Sequence, residues 1–265
     1  ELSGEAFLQG LEADVLIEAG PSDFESGGMG LVYMRHALYV GMHVIAVSKG
    51  AVALHGQELL QTAKAHGVQV WVSGATAAAL PTVDFVQRQL AGCEVLAIEG
   101  IFTGTANFIL NQMMHEGMGF DAALRQAQEA GIAEADSRFD TEGWDTAAKI
   151  TIIANTVCGT ALNVNHLPRQ GITNLQAADM ATWQAQGLMP RLIGYVRCEQ
   201  GLVRAGVEVR ALDPQDVFYH VQGKNKAMRV VTAEMGELCV QGGASSPQAT
   251  AAAALKDLEN LLKTW

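Results

Sequence analysis

The chain has 265 residues, 49% of them apolar and only 17% charged, and a formal net charge of −11. That balance excludes disorder and describes a chain that buries a sizeable core as one large domain or two small ones. It also argues against nucleic acid and anionic lipid as partners, because the surplus of acids repels phosphates and no run of lysine or arginine offers a local exception. Cys93, Cys158, Cys198 and Cys239 stand singly, without a CxxC pair or a metal-like spacing to histidine, and read as buried thiols of a reducing compartment. The opening segment carries acids where a secretory leader carries bases, and no apolar run reaches the ~18–20 residues of a membrane span. The expected location is the cytoplasm.

In chain order, the first half alternates short apolar runs with amphipathic stretches, the pattern of a mostly parallel sheet flanked by helices. Asp14–Ala19 predicts a strand, PSDFESGGMG a loop, Leu31–Val40 a helix stopped by Gly41, and His43–Val47 a second strand. Ser48-Lys49-Gly50 therefore falls at a strand's carboxyl end. A helix around Gly56–His66, stopped by Gly67, and a strand Val68–Val72 repeat the unit, which brings Ser73–Leu80 to the same edge, where such sheets bind ligands.

From Cys93 the pattern changes. CEVLAIEGIF predicts a strand, GTANFILNQMMHEG and FDAALRQAQEAG two helices closed by glycine, and Trp144–Val157 a third helix. Leu192–Arg197 and Leu202–Arg210 predict strands, and Gln248–Leu262 a terminal helix. No repeat or flexible linker separates the two parts, whose junction is expected near Pro81–Cys93.

A nucleotide-binding sheet opens with strand, G-x-G-x-x-G and helix, and no such fingerprint occurs; Gly27-Gly28-Met29-Gly30 and Gly242-Gly243 have the wrong spacing. Either the chain is a fragment or its cofactor chemistry has been lost.

The densest chemistry lies in GIAEADSRFDTEGWDTAAK, Gly131–Lys149, which holds Glu134, Asp136, Asp140, Glu142 and Asp145. The spacing does not fit a calcium loop. Helix capping by Asp140 or Thr141, with Asp145 and Lys149 as a solvent-side i,i+4 pair, is the bland reading. Against it stand Ala147, Ala148, Ile150, Ile152 and Ile153, which make the helix apolar on most faces and Lys149 partly buried. A desolvated lysine beside carboxylates suits general acid–base work, and carboxylates suit an amino group, so the pattern suggests an amino-acid substrate. The seven histidines show no metal-binding spacing. Met113, Met114 and Met118 read as packing, and Lys224-Asn225-Lys226 as a solvated loop.

EGIFTGTANFIL followed by GFDAALRQAQEAGIAEADSRFDTEGWDTAAKITIIA is similar to the homoserine dehydrogenase signature, and HVIAVSKGAVALHGQEL resembles that family's strand-end lysine motif. The resemblance runs from about Ala13 to the C-terminus. It implies an α/β protein: an incomplete Rossmann-like dinucleotide-binding domain over residues 1–90, with 240–265 packing back onto it, plus an α+β catalytic and dimerisation domain over 91–240 whose mixed sheet is covered by helices.

It also implies NAD- or NADP-dependent interconversion of L-homoserine and L-aspartate 4-semialdehyde, in threonine and methionine biosynthesis, by a cytoplasmic homodimer. Carried over by motif position, Lys149, Lys49 and Asp145 are the catalytic candidates. Asp145 and Glu134 would hold the substrate's amino group and hydroxyl, Asp140 would support that shell, and Gly104, Thr105 and Gly131 would shape the pocket through backbone contacts. Gly20, Ser48, Lys49 and Gly243 would touch the cofactor, Lys49 lying between nicotinamide and substrate. The backbone carbonyls of Thr76, Ala78 and Leu80 would hold a monovalent cation such as sodium.

The chain departs from the family in places. Ser73 replaces a glutamate at the cation turn, Ser48 an asparagine, Ile132 a tyrosine, and Gln241–Ser246 a glycine-rich loop. A second class therefore stays open: a paralogue whose fold has become a binding or regulatory module or takes another small substrate.

Overall fold

The computed structural model of the chain describes residues 4–199, 201–243 and 246–263. The chain divides into two compact units, residues 1–91 with 151–166 and 246–265, and residues 92–150 with 167–245. Relative to the expected boundary, residues 151–166 join the first unit and 241–245 the second. The division cuts an uninterrupted helix, and helical periodicity carries no signal at such a point.

The first unit contains α1 (Gly4–Gln9), β1 (Val15–Glu18), α2 (Gly28–Tyr39), β2 (His43–Ala46), α3 (Gly50–Ala65), β3 (Val70–Trp71), α4 (Ser73–Thr76), α5 (Val83–Gln89) and, at the other end of the chain, α11 (Pro247–Leu262). Its sheet is parallel in the order β1-β2-β3, with Leu16 opposite Val44 and Ile45 opposite Trp71. The apolar runs predicted these strands, although β3 keeps only two residues of the expected five. Helix α3 starts six residues earlier than the periodicity placed it, because His55 (φ −126°, ψ 19°) interrupts its regular turn. Past α4 the chain turns through Ala78, whose φ of 52° is the left-handed conformation that alanine adopts only when its surroundings impose it.

Helix α11 is capped by Ser246, whose hydroxyl accepts the Ala249 N–H at 3.1 Å, with Pro247 in the first turn. Its Asp257 is wholly buried: Oδ2 accepts the Ser73 N–H at 2.9 Å, and Oδ1 has no partner. Burial raises the pKa of this carboxyl, outweighing the hydrogen bond from Ser73 and the charge of Lys256. A carboxyl whose pKa rises on folding adds stability that is complete below the ordinary value of ~3.9 and lost as pH climbs through the raised one. Asp257→Asn keeps an acceptor for Ser73 and is expected to remove that loss. Urea unfolding across a pH series checks it, and parallel curves for parent and variant would refute it.

The second unit contains β4 (Val95–Ile101), α6 (Gly104–Glu116), α7 (Phe120–Glu129), α8 (Arg138–Thr141), the start of α9 (Trp144–Cys158), α10 (Ala177–Ala185), β5 (Met189–Glu199), β6 (Leu202–Leu212), β7 (Lys226–Thr232) and β8 (Gly236–Gly242). Its antiparallel sheet has the order β6-β5-β4-β7-β8. The sequence reading missed β7 and β8, and Lys226, placed in a solvated loop, is a buried residue opening β7.

Two glycines face each other across this sheet, Gly100 on β4 and Gly194 on β5. A Cβ on Gly194 would lie 2.7 Å from Ile150 and 2.8 Å from Thr146 of α9, and one on Gly100 would lie 2.7 Å from the Phe102 ring. Bare backbone is what lets helix and ring settle onto the sheet. Elsewhere on the sheet, buried Glu99 meets Arg229 at 2.7 Å, Arg210 at 2.9 Å and Arg197 at 3.4 Å. Burial works against its charge, and the arginine hydrogen bonds and charges together overcome that, holding its pKa below the ordinary value.

Beside Ile101, Ile193, Leu212, Phe218, Val221 and Ala227 lies Arg191, wholly buried. Its guanidinium donates to the carbonyls of Tyr219 (2.6 Å), Phe218 (3.0 Å) and Pro190 (3.4 Å) and to Asn111 Oδ1 (3.1 Å). Burial draws its pKa down to about 10, so it stays charged at neutral pH. Contrary to the expectation of buried thiols, three of the four cysteines are half-buried and Cys239 is exposed. Among the described residues no helix is long and apolar enough to cross a membrane, and no three histidine, cysteine, aspartate or glutamate side chains cluster as a metal site.

Candidate active site

The acidic segment ends in a geometry that decides between the readings of Asp145 and Lys149. Gly143 (φ 83°) makes the turn into α9, where a Cβ would lie 2.9 Å from the Gln170 carbonyl oxygen. From there Asp145 and Lys149 stand one turn apart on one helix face. They are only 7% and 8% exposed, so the pair is not a solvated one. Lys149 Nζ donates to Asp145 Oδ2 and, at 2.8 Å, to the carbonyl oxygen of Phe102, the residue that follows β4. Thr103 Oγ1 donates to Asp145 Oδ2 at 2.8 Å and lies 2.8 Å from Thr146 Oγ1. An ammonium and a carboxylate removed from water and braced by polar partners can pass a proton without the reorganisation that bulk water imposes.

The residues expected to shape the pocket are tied to neighbouring segments. Thr105 Oγ1 donates to the Ile132 carbonyl at 3.2 Å, joining the first turn of α6 to the loop that carries Gly131 (φ 65°) and Glu134. Gly104 lies against the loop after β6, where a Cβ would come within 2.7 Å of the Lys224 carbonyl oxygen. Asn107, which the sequence reading did not single out, holds that loop by donating to the carbonyls of Gly223 (2.9 Å) and Val221 (3.1 Å).

Glu134 is exposed and Asp140 half-buried in α8. A cavity of about 350 Å³ lined by Asp136, Arg138, Phe139, Glu142 and Trp144 adjoins this segment. Another of about 360 Å³ in the first unit, lined among others by Lys64, Trp71 and Asp84, contains none of the sequence-predicted site residues.

The remaining candidates lie elsewhere. In the first unit Lys49 is the N-cap residue of α3, half-buried, its N–H donating to Ser22 Oγ at 2.9 Å. Ser48 Oγ donates to Oε2 of buried Glu18, and the Gly20 N–H donates to Glu18 Oε1 at 2.8 Å. At this edge lie the start of α3 and Lys49, the residues expected at the nicotinamide end of a dinucleotide. The Gly20 N–H and Ser48 hydroxyl are committed to a carboxylate, and no G-x-G-x-x-G turn lies among the described residues to cradle a pyrophosphate.

At the turn expected to hold a cation, Thr76 Oγ1 bonds the Ser73 carbonyl (3.1 Å) and Thr82 Oγ1 (2.6 Å), Ala78 donates to Ser73, and Leu80 donates to Ala77. The carboxylate missing from position 73 has a counterpart in Asp257, which accepts that residue's N–H. In the second unit Gly243 (φ 73°) follows β8, while Ala244 and Ser245 of the altered loop lie outside the described residues.

Comparison with known proteins agrees with this geometry. The model of the homoserine dehydrogenase family matches residues 81–258. The chain is 34% identical to the homoserine dehydrogenase of Methanocaldococcus jannaschii, over 97% of this chain and 75% of that protein. It is 32% identical to the NAD(+)-dependent homoserine dehydrogenase of Pseudomonas canavaninivorans, over 96% of this chain and 72% of that one. The crystal structure of a homoserine dehydrogenase from Thiobacillus denitrificans superposes with a TM-score of 0.89 at 28% identity, covering 96% of this chain and 58% of that chain. A mixed α/β chain with a buried aspartate–lysine pair near the start of α9, matched by the family model over residues 81–258 and by relatives over nearly its whole length, belongs to the homoserine dehydrogenase family of oxidoreductases.

Proposed function

We propose that this chain interconverts L-homoserine and L-aspartate 4-semialdehyde, with Lys149 as the group that moves the proton. The observation that carries the reading is the buried contact of Lys149 with Asp145 and the Phe102 carbonyl. A bound nicotinamide supplies the two-electron exchange with the substrate carbon. Lys149, as an ammonium, protonates the substrate oxygen when charge builds there, and as an amine it takes the hydroxyl proton in the reverse direction. Asp145 balances the charge on Lys149 through both changes. Glu134 and Asp140 hold the amino end of the substrate, and Gly104, Thr105 and Gly131 shape the pocket through their backbone. Lys49 is the second cation of the reaction, at the nicotinamide end.

The reading extends to either NAD or NADP as cofactor, a monovalent cation at the Thr76, Ala78 and Leu80 carbonyls, a homodimer, and a cytoplasmic place in threonine and methionine biosynthesis. The sharply turned backbone at Ala78 supports the cation, and cysteines spaced singly along the chain support a reducing compartment. The test is homoserine-dependent reduction of NAD or NADP by the complete protein. Turnover with homoserine and none with serine is the expected result, and no reduction of either cofactor would overturn the proposal.

A further inference from the structure

We infer that Thr103 is a positioning residue for the Asp145–Lys149 pair, holding the aspartate ionised and aimed through its side-chain hydroxyl. The inference rests on the reading of that pair as the proton-transfer machinery. Thr103 is the N-cap residue of α6, with extended backbone (φ −119°, ψ 112°), and a threonine there ordinarily turns its oxygen back onto the N–H groups of its own first helical turn. This one makes no such bond. Its hydroxyl, in a residue only 5% exposed, reaches across to α9 and meets Asp145 Oδ2 and Thr146 Oγ1, both at 2.8 Å.

The direction of these bonds follows from proton counting. An ionised carboxylate only accepts, and a hydroxyl has one hydrogen, so Thr103 gives its hydrogen to Asp145. In the contact between the two threonines the donor is then Thr146. The chain of donors runs from Thr146 to Thr103 to Asp145, and Lys149 donates to the same carboxylate oxygen from the other side. Two donors converging on one oxygen fix where the carboxylate points. A hydrogen bond to the charged form of a carboxylate favours that form, and the Thr103 hydroxyl is placed to make one to Asp145. Thr103 therefore acts through Asp145, without contact with substrate.

Thr103→Val keeps the shape and removes the hydroxyl. In the complete protein it is expected to lower kcat by about 10–100-fold with KM for homoserine unchanged to within about twofold, and to move the acidic limb of the pH–rate profile to higher pH, because the aspartate has lost a donor. Thr103→Ser is expected to restore both. A purely structural threonine would leave the pH limb in place, and serine would not rescue it selectively. Thr146→Val, which removes only the donor to Thr103, is expected to shift the limb in the same direction by less, and it provides the measurement if Thr103→Val does not fold.

Lys149→Ala and Asp145→Asn, assayed alongside, separate the two claims. If both lose turnover while Thr103→Val and Thr146→Val keep the parent's rate and profile, the inference about Thr103 is wrong and the reading of the pair stands. If Lys149→Ala and Asp145→Asn turn over homoserine normally, the reading of the pair fails and takes the inference with it.

Discussion

Lys149→Ala is expected to lower kcat by at least ~10²-fold, the scale on which a positioned acid–base group contributes. The variant also strands the Asp145 carboxylate, 7% exposed, without its ammonium, and removing one member of a buried pair typically destabilises by ~3–5 kcal/mol. Loss of turnover in a variant that unfolds would therefore say little about chemistry. Lys149→Arg resolves this. Guanidinium keeps the charge opposite Asp145 and the donors for the Phe102 carbonyl, and it does not release its proton in the working range. It is expected to leave the unfolding midpoint close to the parent's and still fall by ~10²-fold or more in kcat. Stopped-flow turnover beside urea unfolding checks both halves, and parent-like turnover in Lys149→Arg would show that no proton passes through this residue.

The largest purely structural effect is expected at Arg191. Its guanidinium serves four acceptors, all of them backbone carbonyls or an amide oxygen, with no carboxylate among the bonds described. In many buried ion pairs an apolar replacement is tolerated because two charges leave together. Here only the donor leaves and the acceptors remain in a dry core, each unsatisfied group costing ~1–3 kcal/mol. Arg191→Met, matched in length and free of charge, is expected to destabilise by about 3 kcal/mol or more for that reason, while sparing kcat in the folded fraction. Urea unfolding measures it, and a loss below ~1 kcal/mol would show that the freed carbonyls find other partners.

Much of this was legible in the sequence because it rests on period and punctuation. Strands β1 and β2, helices α6 and α7 with their closing glycines, and the long helix through Lys149 follow from apolar spacing within single segments. What failed depended on partners far along the chain. Lys226 reads as solvated in its own segment and is buried because β7 pairs with β4 and β8. Asp257 sits in an alanine-rich helix, and its role at Ser73 spans 184 residues. At the site, the apolar residues around Lys149 indicated a partly buried lysine beside carboxylates. That the hydroxyl of Thr103 braces it was invisible, since a threonine before a helix reads as a cap.

The facing glycines of the central sheet have a consequence for tolerance to change. The Phe102 ring and the side chains of Thr146 and Ile150 rest on main chain at Gly100 and Gly194, so the seat of α9 has no rotamers of its own. The span from Lys149 to the Phe102 carbonyl, both ends of which are anchored at this seat, is inherited from peptide geometry and is insulated from side-chain hopping nearby. A methyl group at position 194 would act as a shim under the helix, displacing Lys149 without touching it. Misplacement by ~1 Å is enough to cost ~10²-fold in rate. Family members with a larger residue at this position would then need a thinner side chain at the position of Thr146 or Ile150, a pairing of sizes that comparison of relatives can look for.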